Sequence, residues 1–383
     1  MPTYNIDAAI VGGGIAGAWA LNLLCGAGYN AVLFEADALG CDQTLASQGM
    51  IHGGLKYALG GQLTGASEAI ARMPSRWRSC LGGDDPVDLR GVQLLSDRYF
   101  MFSNDSARGR LTTFFASKAL RGRIDKLDKH KWPQAFKGFD GVVYALDDFV
   151  LDARSLVETL IRPYRERVLR LKLDNHNTRS DGGGYVITLA DCEVHAHRLI
   201  SCAGNGSAAL LEALNISDIE VQQRPLKQVL VRPAHPVELY AHCLTGVSAA
   251  EPRLTITSHI SERGLIWYLG GRLATEGVSR SDTQQIEAAQ AELQTCVPWL
   301  DWRGAQYETL HINRAEPRQR TGLKPDNAFV AASGNFIQCF PTKLTLAPDL
   351  GDRLLAILPA PEGGDLPHIN QARAEMGSVP WYP

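Results

Sequence analysis

The sequence predicts an α/β protein, α+β overall, in which a parallel-sheet domain is interrupted by a second domain with a mainly antiparallel sheet. Three observations predict this fold class. The first residues alternate strand, helix and strand around a glycine-rich turn. Further strand–turn–helix segments return only at residues 197–214 and 327–358. Between them lie β-branched and aromatic runs such as QVLVRPA, RLTITSHI and GLIWYLGGRL, which are typical of antiparallel strands.

The N-terminal unit carries the strongest local signal. DAAIVGG, which begins at Asp7, is apolar and β-branched, as a buried parallel strand requires. GIAGAWALNLLCGAG follows with helical spacing and ends at glycines, as helices often do. NAVLFEAD is then a second buried strand that ends in acidic residues. Residues 7–37 are therefore predicted to form a βαβ unit.

The turn of this unit, GGGIAG at residues 12–17, matches the GxGxxG pattern of Rossmann-like dinucleotide-binding domains. In that pattern Gly12 permits the tight turn, Gly14 lets backbone N–H groups approach a pyrophosphate, and Gly17 lets helix and strand pack closely. The helix dipole favours phosphate at this end. Glu35, 18 residues after Gly17, lies where a carboxylate accepts hydrogen bonds from a ribose. A merely glycine-rich turn would explain none of this spacing.

The segment after Glu35 favours FAD over NAD. An NAD-binding domain normally continues its strand–helix alternation into a second half. Here ALGCDQTLASQGMIHGG follows, a polar and glycine-rich loop. We therefore expect the nucleotide fold to be split into three pieces of the chain.

These features resemble the glutathione-reductase-type FAD proteins of the D-amino-acid oxidase superfamily. IHGGLKY (51–57) and TKLT (342–345) resemble segments of the FAD-dependent glycerol-3-phosphate dehydrogenases, and QTLASQGMIHGGLKY also resembles a segment of L-2-hydroxyglutarate dehydrogenase. The resemblance covers residues 5–57, 197–214 and 318–358, about a third of the chain. Lys56 replaces an arginine and Pro341 a glycine of the glycerol-phosphate enzymes, and the chain is too short for their C-terminal domain. The substrate is therefore not carried over.

The resemblance implies a glutathione-reductase-type, Rossmann-like FAD-binding domain that is discontinuous, formed by residues 1–57, 150–214 and 314–360. A substrate-binding domain with a mainly antiparallel sheet is formed by residues 58–149 and 215–313. Trp267 or Tyr268 either points from that sheet into the cavity or, as is commoner for such pairs, packs in the core. The tail, residues 361–383, is rich in Pro and Gly and is expected to be loosely ordered.

The resemblance also implies which residues contact FAD. The glycine turn and the end of the second strand hold the dinucleotide, the 44–49 loop follows the pyrophosphate and isoalloxazine, and a later loop surrounds the flavin pyrimidine edge. A lysine at that edge stabilises the anionic reduced ring. The expected cofactor-binding residues are Gly12, Gly14, Ile15, Ala16, Gly17, Glu35, Ala36, Thr44, Ser47, Gln48, Gly49, Val168, Ala203, Gly204, Gly334, Asn335, Thr342, Lys343, Leu344 and Thr345.

Residues of the IHGGLKY segment are the candidates for catalysis. The resemblance implies that His52 lies beside the flavin on the substrate side. There a histidine, with an ordinary pKa of about 6.5, suits removal of a hydroxyl proton as hydride leaves. The alternative is a histidine that packs and hydrogen-bonds around FAD. Lys56 and Tyr57 either bind an anionic group of the substrate or lie on a solvated face.

A second candidate segment is RAEPRQRTGLKPD, residues 314–326. It resembles the superfamily pattern G-x-R-P-x-x-x-D-x-x-P, whose arginine clamps a substrate carboxylate or phosphate. Arg318 is the first candidate for that role and Arg320 the second. The alternative is a loop of solvated charge.

Composition excludes several classes of function. A net charge of −3 offers no basic surface for nucleic acid. No apolar run approaches the roughly 20 residues of a transmembrane segment. No secretory signal is recognisable, so a cytoplasmic location is expected, either free or peripheral at the inner membrane. The eight cysteines include no CxxC pair and no Cys/His cluster at zinc spacing, so no metal site is predicted.

Together these features predict an FAD-dependent dehydrogenase or oxidase that removes hydride from a carbon bearing a hydroxyl. Its substrate would be small and anionic, a 2-hydroxy acid or a glycerol-3-phosphate-like compound. The electrons would pass to a quinone, another carrier or oxygen. One alternative is an amine or amino-acid oxidase of the same fold, and another is a non-catalytic flavin-binding protein.

Overall fold

The computed structural model describes residues 1–54, 65–103, 124–244, 252–318, 327–363 and 369–381, and of residues 65–68 only the backbone. The strands are, in chain order, β1 (Thr3–Val11), β2 (Ala31–Glu35), β3 (Met50–Ile51), β4 (Leu94–Ser96), β5 (Tyr99–Ser103), β6 (Ile124–Lys126), β7 (Val142–Leu146), β8 (Phe149–Leu151), β9 (Val168–Arg170), β10 (Thr178–Ser180), β11 (Tyr185–Thr188), β12 (Glu193–Ser201), β13 (Val221–Arg232), β14 (Ala241–Cys243), β15 (Leu254–Ser261), β16 (Gly264–Gly270), β17 (Gln306–Pro317), β18 (Phe329–Ser333) and β19 (Phe336–Phe340).

The α-helices are α1 (Ile15–Gly26), α2 (Gly65–Gly82), α3 (Ala153–Ile161), α4 (Ser207–Ala213), α5 (Arg272–Glu276), α6 (Asp282–Cys296) and α7 (Ala347–Ile357). Short 3-10 turns occur at Lys129–Lys131, Gln134–Phe136, Arg162–Arg167, Gly204–Gly206, Gly277–Ser279 and Leu344–Leu346.

The first sheet has parallel strands at its centre, in the order β19–β12–β1–β2–β9. β10 and β11 extend it beside β12, and β18 pairs antiparallel with β19. Apolar residues of α1, α3 and α7 form a core against one face, where Trp19 packs on Trp77 with ring centroids 5.0 Å apart. The carboxyl ends of the parallel strands therefore meet at one edge, where ligands of open α/β sheets usually bind.

The second sheet has the order β17–β13–β16–β15–β14–β5–β7–β6 and is antiparallel except for the β14–β5 pair. Alternate residues point to its two faces. One face packs on α6 and an aromatic cluster that includes Phe102, Phe136 and Trp267. The other face carries Tyr268 and Ile312 and points towards the first sheet. The carboxyl ends of the strands of the first sheet therefore face this surface of the second sheet.

A small third sheet, β3–β8–β4, anchors the segment that precedes His52. Met50 and Ile51 pair with Val150 and Phe149, and the Leu151 N–H donates to the Gly49 carbonyl at 2.8 Å. The loop that is expected to run past the cofactor is therefore held by strand pairing immediately before His52.

The segment of residues 327–358 differs from the expected strand, glycine turn and helix. Gly334 and Asn335 instead form the tip of the β18–β19 hairpin. Because β19 runs parallel to β12, the loop and helix α7 that follow β19 begin at the carboxyl edge of the sheet. A glycine turn after a strand has the same sequence signature whether a helix or a returning strand follows.

The second sheet and the tail also extend beyond the expected limits. β17 continues in the antiparallel sheet to Pro317, although residues from 314 onwards were assigned to the nucleotide domain. Residues 369–381 are packed on the protein, not loose. The Ala374 N–H donates to the Val168 carbonyl, Leu39 and Met376 form a bridge, and Trp381 is 4% exposed. A composition rich in Pro and Gly predicts an irregular backbone, but it does not predict whether that backbone packs on the rest of the protein.

Candidate functional site

A cavity of about 530 Å³ lies between the carboxyl edge of the first sheet and the inward face of the second. Its lining contains most of the residues expected to bind a dinucleotide, together with the candidate histidine. These are Gly12, Gly14, Ile15, Ala16, Glu35, Ala36, Thr44, Ser47, Gln48, His52, Ala203, Gly204, Thr342, Lys343 and Leu344.

The glycine turn has the steric properties that close packing demands. Gly12 has φ +102°, which favours glycine, and a Cβ there would lie 2.6 Å from the Cys202 carbonyl oxygen. A Cβ on Gly17 would lie 1.8 Å from the Gly12 carbonyl oxygen. Gly17 therefore acts from within α1, by letting that helix touch the turn, and it does not line the cavity.

Glu35 closes the turn from the end of β2. Its two carboxylate oxygens accept from the Gly13 N–H at 2.5 Å and the Asp37 N–H at 2.8 Å. The side chain is buried and still lines the cavity. Thr44 supports the helix start in a similar way, because its Oγ1 accepts from the Ile15 N–H at 3.0 Å. The N-terminus of α1 thus opens on the cavity with its first turn held in place.

Five other expected cofactor residues lie outside the cavity lining. Gly49 has φ +66°, and a Cβ there would lie 2.0 Å from the Leu151 carbonyl oxygen, so its need for glycine comes from β8. Val168 begins β9, whereas the cavity lies at the other end of that strand. Gly334 and Asn335 precede β19 and lie at the opposite edge of the sheet, where Arg198 donates to Asn335 at 2.6 Å. Thr345 does not line the cavity, and its hydroxyl is hydrogen-bonded to the backbone of His52.

His52 is held at the cavity wall by its backbone. Its N–H donates to Thr345 Oγ1 at 3.2 Å, and that hydroxyl donates to the His52 carbonyl at 3.1 Å. The following Gly53 N–H donates to Asp148 Oδ1 at 2.9 Å, and the Gly54 N–H donates to His52 Nδ1 at 3.3 Å. With Nδ1 accepting, the neutral ring carries its proton on Nε2 and is a hydrogen-bond donor there.

The inward face of the second sheet contributes polar side chains that sequence reasoning missed. Gln228 on β13 is 6% exposed and lines the cavity, and the Tyr268 hydroxyl reaches both its carboxamide and the Ala46 carbonyl at 2.6 Å. Burial raises the pKa of Tyr268 well above its usual range, so it keeps its proton. The available signal is the period of two along β13, which places Gln228 on the same face as Leu226 and Leu230. Neither Trp267 nor Tyr268 itself lines the cavity.

Lys343, a predicted cofactor contact, lines the cavity, and so does Arg314, which was not among the candidate residues. Arg318 does not, because its side chain is 63% exposed and pairs with Glu220 at 3.2 Å. Arg314 belongs to the segment singled out by sequence and lies on β17, whereas Arg318 follows the end of that strand at Pro317. The end of the strand cannot be read from the segment alone. Lys56, Tyr57 and Arg320 lie outside the residues that the structure describes.

Two thiols that line the cavity, those of Cys339 and Cys41, are poor nucleophiles. Cys202 and Cys339 follow equivalent positions on the paired strands β12 and β19. The neighbouring Cys202 thiol, and then burial, raise the pKa of Cys339 well above its usual range. Burial also raises the pKa of Cys41. Cys339 and Cys41 are therefore protonated at neutral pH and act as small packing residues.

The residues present fit a dinucleotide. The glycine turn, the α1 N-terminus and Glu35 form one part of the lining, and His52, Gln48 and Lys343 form another. In the described ranges, no three His, Cys, Asp or Glu side chains come together as a metal would require. No helix within those ranges has the length and apolar content needed to cross a membrane.

Comparison with known proteins identifies relatives over nearly the whole chain. A family model described as FAD dependent oxidoreductase, DAO, matches residues 7–337. The probable FAD-dependent oxidoreductase PA4991 of Pseudomonas aeruginosa is 44% identical, over 98% of this chain and 96% of its own. Its crystal structure superimposes with a TM-score of 0.84 at 38% identity, covering 100% of this chain and 99% of that one.

More distant solved structures share the fold. Glycine oxidase from Geobacillus kaustophilus has a TM-score of 0.63 at 17% identity, over 93% of this chain and 94% of its own. L-alpha-glycerophosphate oxidase from Mycoplasma pneumoniae, with FAD bound, has a TM-score of 0.63 at 15% identity, over 95% and 100%. The predicted α/β fold class is thus confirmed. These relatives do not single out the glycerol-3-phosphate or L-2-hydroxyglutarate dehydrogenases, so that finer resemblance stays a prediction.

Proposed function

Because the chain belongs to the DAO family of FAD-dependent oxidoreductases, we propose that it oxidises a small anionic substrate at a carbon bearing a hydroxyl or an amino group. FAD, when bound, supplies the hydride acceptor, its N5 atom. The observation that carries the proposal is the single cavity in which the dinucleotide-binding elements, His52 and Lys343 meet under the second sheet.

Each of these residues has a task in such a reaction. Lys343 places a positive charge in the cavity, which suits an anionic substrate group or the reduced ring. The inward face of the second sheet covers the reacting carbon and excludes water. His52 is buried to 93% and fixed through its backbone, and its ring would face the bound substrate.

The IHGGLKY segment favours oxidation at a carbon that bears a hydroxyl, because it resembles a segment of the FAD-dependent glycerol-3-phosphate dehydrogenases. Alcohol oxidation needs a group that takes the hydroxyl proton as hydride leaves. For His52 to do this at Nε2, the neutral ring must carry its proton on Nδ1 instead of Nε2. The hydrogen bond from the Gly54 N–H to Nδ1 must then be broken. A 2-hydroxy acid or a glycerol-3-phosphate-like compound remains the substrate class for this candidate.

The hydrogen bond from the Gly54 N–H to His52 Nδ1 favours oxidation at a carbon that bears an amino group. A neutral amine is oxidised to an imine without removal of a hydroxyl proton, so no base at Nε2 is required. His52 as arranged donates from Nε2 and would bind an acceptor on the substrate or the flavin. Both candidates leave quinone, another carrier or oxygen as the final electron acceptor.

Anaerobic reduction of the purified protein tests the proposal. We expect a yellow protein whose visible flavin absorbance is bleached by at least one member of a panel of 2-hydroxy acids, glycerol 3-phosphate and amino acids. Bleaching by alcohols alone or amines alone selects between the candidates. A colourless protein that rebinds no FAD would overturn the proposal, and a yellow protein bleached by nothing would favour a non-catalytic flavoprotein.

His52 variants separate the base from the hydrogen-bond donor. If His52 is the base, His52→Ala and His52→Gln should both lower the rate of flavin reduction by about 100-fold or more, with FAD retained. If it donates a hydrogen bond, His52→Gln should keep most of the rate, because glutamine retains an N–H donor. Stopped-flow reduction measures the rate, and unchanged rates in both variants would remove His52 from the reaction.

A further inference from the structure

The dinucleotide-binding elements of the first sheet carry no cationic side chain. The glycine turn, helix α1, the loop of residues 36–49 and the turn after β12 contain no Lys or Arg. The charged residues of this region are acidic, and Glu35, Asp37 and Asp42 all line the cavity. FAD carries a negative charge on each phosphate of its pyrophosphate. At this edge of the sheet the pyrophosphate therefore meets backbone dipoles, which supply only partial positive charge.

Strand β17 is fastened to the same edge on both sides of Arg314. The Ala315 N–H donates to Gln43 Oε1 at 3.1 Å, and the Asn313 carbonyl accepts from Asn205 Nδ2 at 2.9 Å. Gln43 belongs to the loop after β2, and Asn205 belongs to the turn after β12. Arg314 thus lies between two points at which the second sheet is hydrogen-bonded to the carboxyl edge of the first.

The first of these points is adjacent to the start of α1. Gln43 directly precedes Thr44, whose Oγ1 accepts from the Ile15 N–H at 3.0 Å. Since phosphate is favoured at a helix N-terminus that follows a glycine turn, Arg314 lies beside the expected position of the pyrophosphate. His52 follows β3, eight residues after Thr44, and belongs to the other part of the cavity lining.

The side chain of Arg314 lies on the face of β17 that looks into the cavity. Alternate residues share a face of a strand, and Ile312, Arg314 and Glu316 all line the cavity. Glu316 is buried, and its Oε1 accepts from Arg224 Nε at 2.9 Å and from Gln222 Nε2 at 2.7 Å. The charge of Glu316 is therefore balanced by Arg224, which does not line the cavity.

Among the described residues that line the cavity, Lys343 is the other Lys or Arg. It follows β19, which is separated by β12 from the strand that leads into the glycine turn. Arg314 is consequently the lining cation that is tied to the elements around the α1 N-terminus. Its guanidinium is a planar fork of N–H donors, a geometry that matches phosphate oxygens in a bidentate way.

We propose that Arg314 forms an ion pair with the pyrophosphate of FAD, so that the cofactor is held by both sheets. The first sheet supplies the N–H groups of the glycine turn and of α1, and the second supplies the guanidinium. This inference concerns cofactor binding and goes beyond the proposed oxidation, because it holds whichever substrate is oxidised. Loss of the guanidinium should weaken FAD binding, chiefly through faster release.

Arg314→Met tests the ion pair, because methionine keeps much of the apolar stem and removes the charge with its donors. The dissociation constant for FAD, measured by fluorescence titration of the full-length apoprotein, should rise by about 10-fold or more. Arg314→Lys keeps the charge and should bind FAD more tightly than the methionine variant. Arg318→Met is the matched control, because Arg318 belongs to the same segment but is exposed and pairs with Glu220, and it should leave the constant unchanged.

ADP and adenosine separate a phosphate contact from an effect on packing. ADP carries both phosphates of the cofactor without its flavin, and adenosine carries neither. In competition with FAD, ADP should bind wild-type apoprotein more tightly than adenosine, and Arg314→Met should shrink that ratio by about 10-fold. Should Arg314→Met fail to fold, Arg314→Gln takes its place, because glutamine keeps a polar side chain and removes the charge.

Three results would overturn the inference. One is an affinity for FAD that is equal in wild type and Arg314→Met, or lowered as much by Arg318→Met. Another is an ADP-to-adenosine ratio that survives the loss of Arg314. The third is a variant that keeps FAD and loses only the binding of anionic substrates, which would assign Arg314 to the substrate. A wild type that binds FAD but is bleached by no compound contradicts the proposed oxidation alone, since all these affinities are still measured.

Discussion

Gly17 shows how one missing side chain sets the approach of helix to strand. A Cβ at this position would lie 1.8 Å from the Gly12 carbonyl oxygen, which belongs to the backbone and cannot rotate away. Gly17→Ala should therefore displace the start of α1 and release FAD. The flavin-to-protein absorbance ratio after gel filtration measures the loss. Gly26→Ala, at the other end of the same helix, is the control, because its Cβ would be 3.8 Å from its nearest neighbour and should leave the ratio unchanged.

Thr345 fixes His52 through one hydroxyl that both accepts from and donates to its backbone. Thr345→Val keeps the shape and removes both hydrogen bonds, so two buried backbone groups lose their partner. We expect a loss of about 1–3 kcal/mol in the free energy of unfolding and slower flavin reduction. Thr345→Ser should restore both. Urea unfolding and stopped-flow reduction provide the two measurements, and a valine variant equal to wild type in both would show that this hydroxyl does not position His52.

Residue-scale prediction succeeded where chemistry and backbone geometry coincide. The spacing of Gly12, Gly17 and Glu35 has one physical explanation, and the structure brings the three together around the turn. Arg318 and Gln228 are different cases. Whether Gln228 on β13 faces the cavity depends on strand register and on which sheet face is covered, and Arg318 is turned away because it lies just beyond the end of β17. Both are tertiary facts that a local pattern of charges does not contain.

At the scale of elements, the loop from Pro341 to Thr345 is placed by β19. The TKLT segment could be recognised from sequence, and four of these five residues line the cavity. Thr342 has φ +60°, uncommon for a β-branched residue, and its hydroxyl donates to the Asn327 carbonyl at 3.0 Å. The preceding hairpin was missed, because β18 and β19 together read as one apolar stretch that contains a glycine turn.

The C-terminal tail is an element that composition alone misrepresents. Trp381 packs on His259, with ring centroids 4.3 Å apart, and on Tyr268 at 5.6 Å, behind the cavity roof. Burial lowers the pKa of His259 to about 3, so this is a contact between two neutral, tilted rings at physiological pH. Trp381→Ala should lower the free energy of unfolding by about 3–5 kcal/mol, as measured by urea denaturation. Trp381→Phe should lose much less, and an alanine variant as stable as wild type would show that the tail contributes nothing.

At the scale of the whole molecule, the cavity is formed by residues of both sheets. The carboxyl edge of the first sheet supplies the glycine turn and Glu35, and the second sheet supplies Gln228 and Ile312. Fold class could be predicted because alternation and glycine spacing are local. The mutual orientation of the sheets could not, because it arises from contacts between segments far apart in the chain, such as the tail against β9 and β16.

This arrangement predicts that FAD stabilises the protein as one unit. A ligand that binds only the folded state adds about 2.7 kcal/mol at 100 times its Kd. Since residues of both sheets line the cavity, urea unfolding should remain a single transition whose midpoint rises with FAD concentration. Trp19 and Trp77 report on the first core and Trp267 on the second, so tryptophan fluorescence follows both. Gly17→Ala should abolish the rise. A transition that splits as FAD is added, with one part unmoved, would mean that the cofactor holds the first sheet alone.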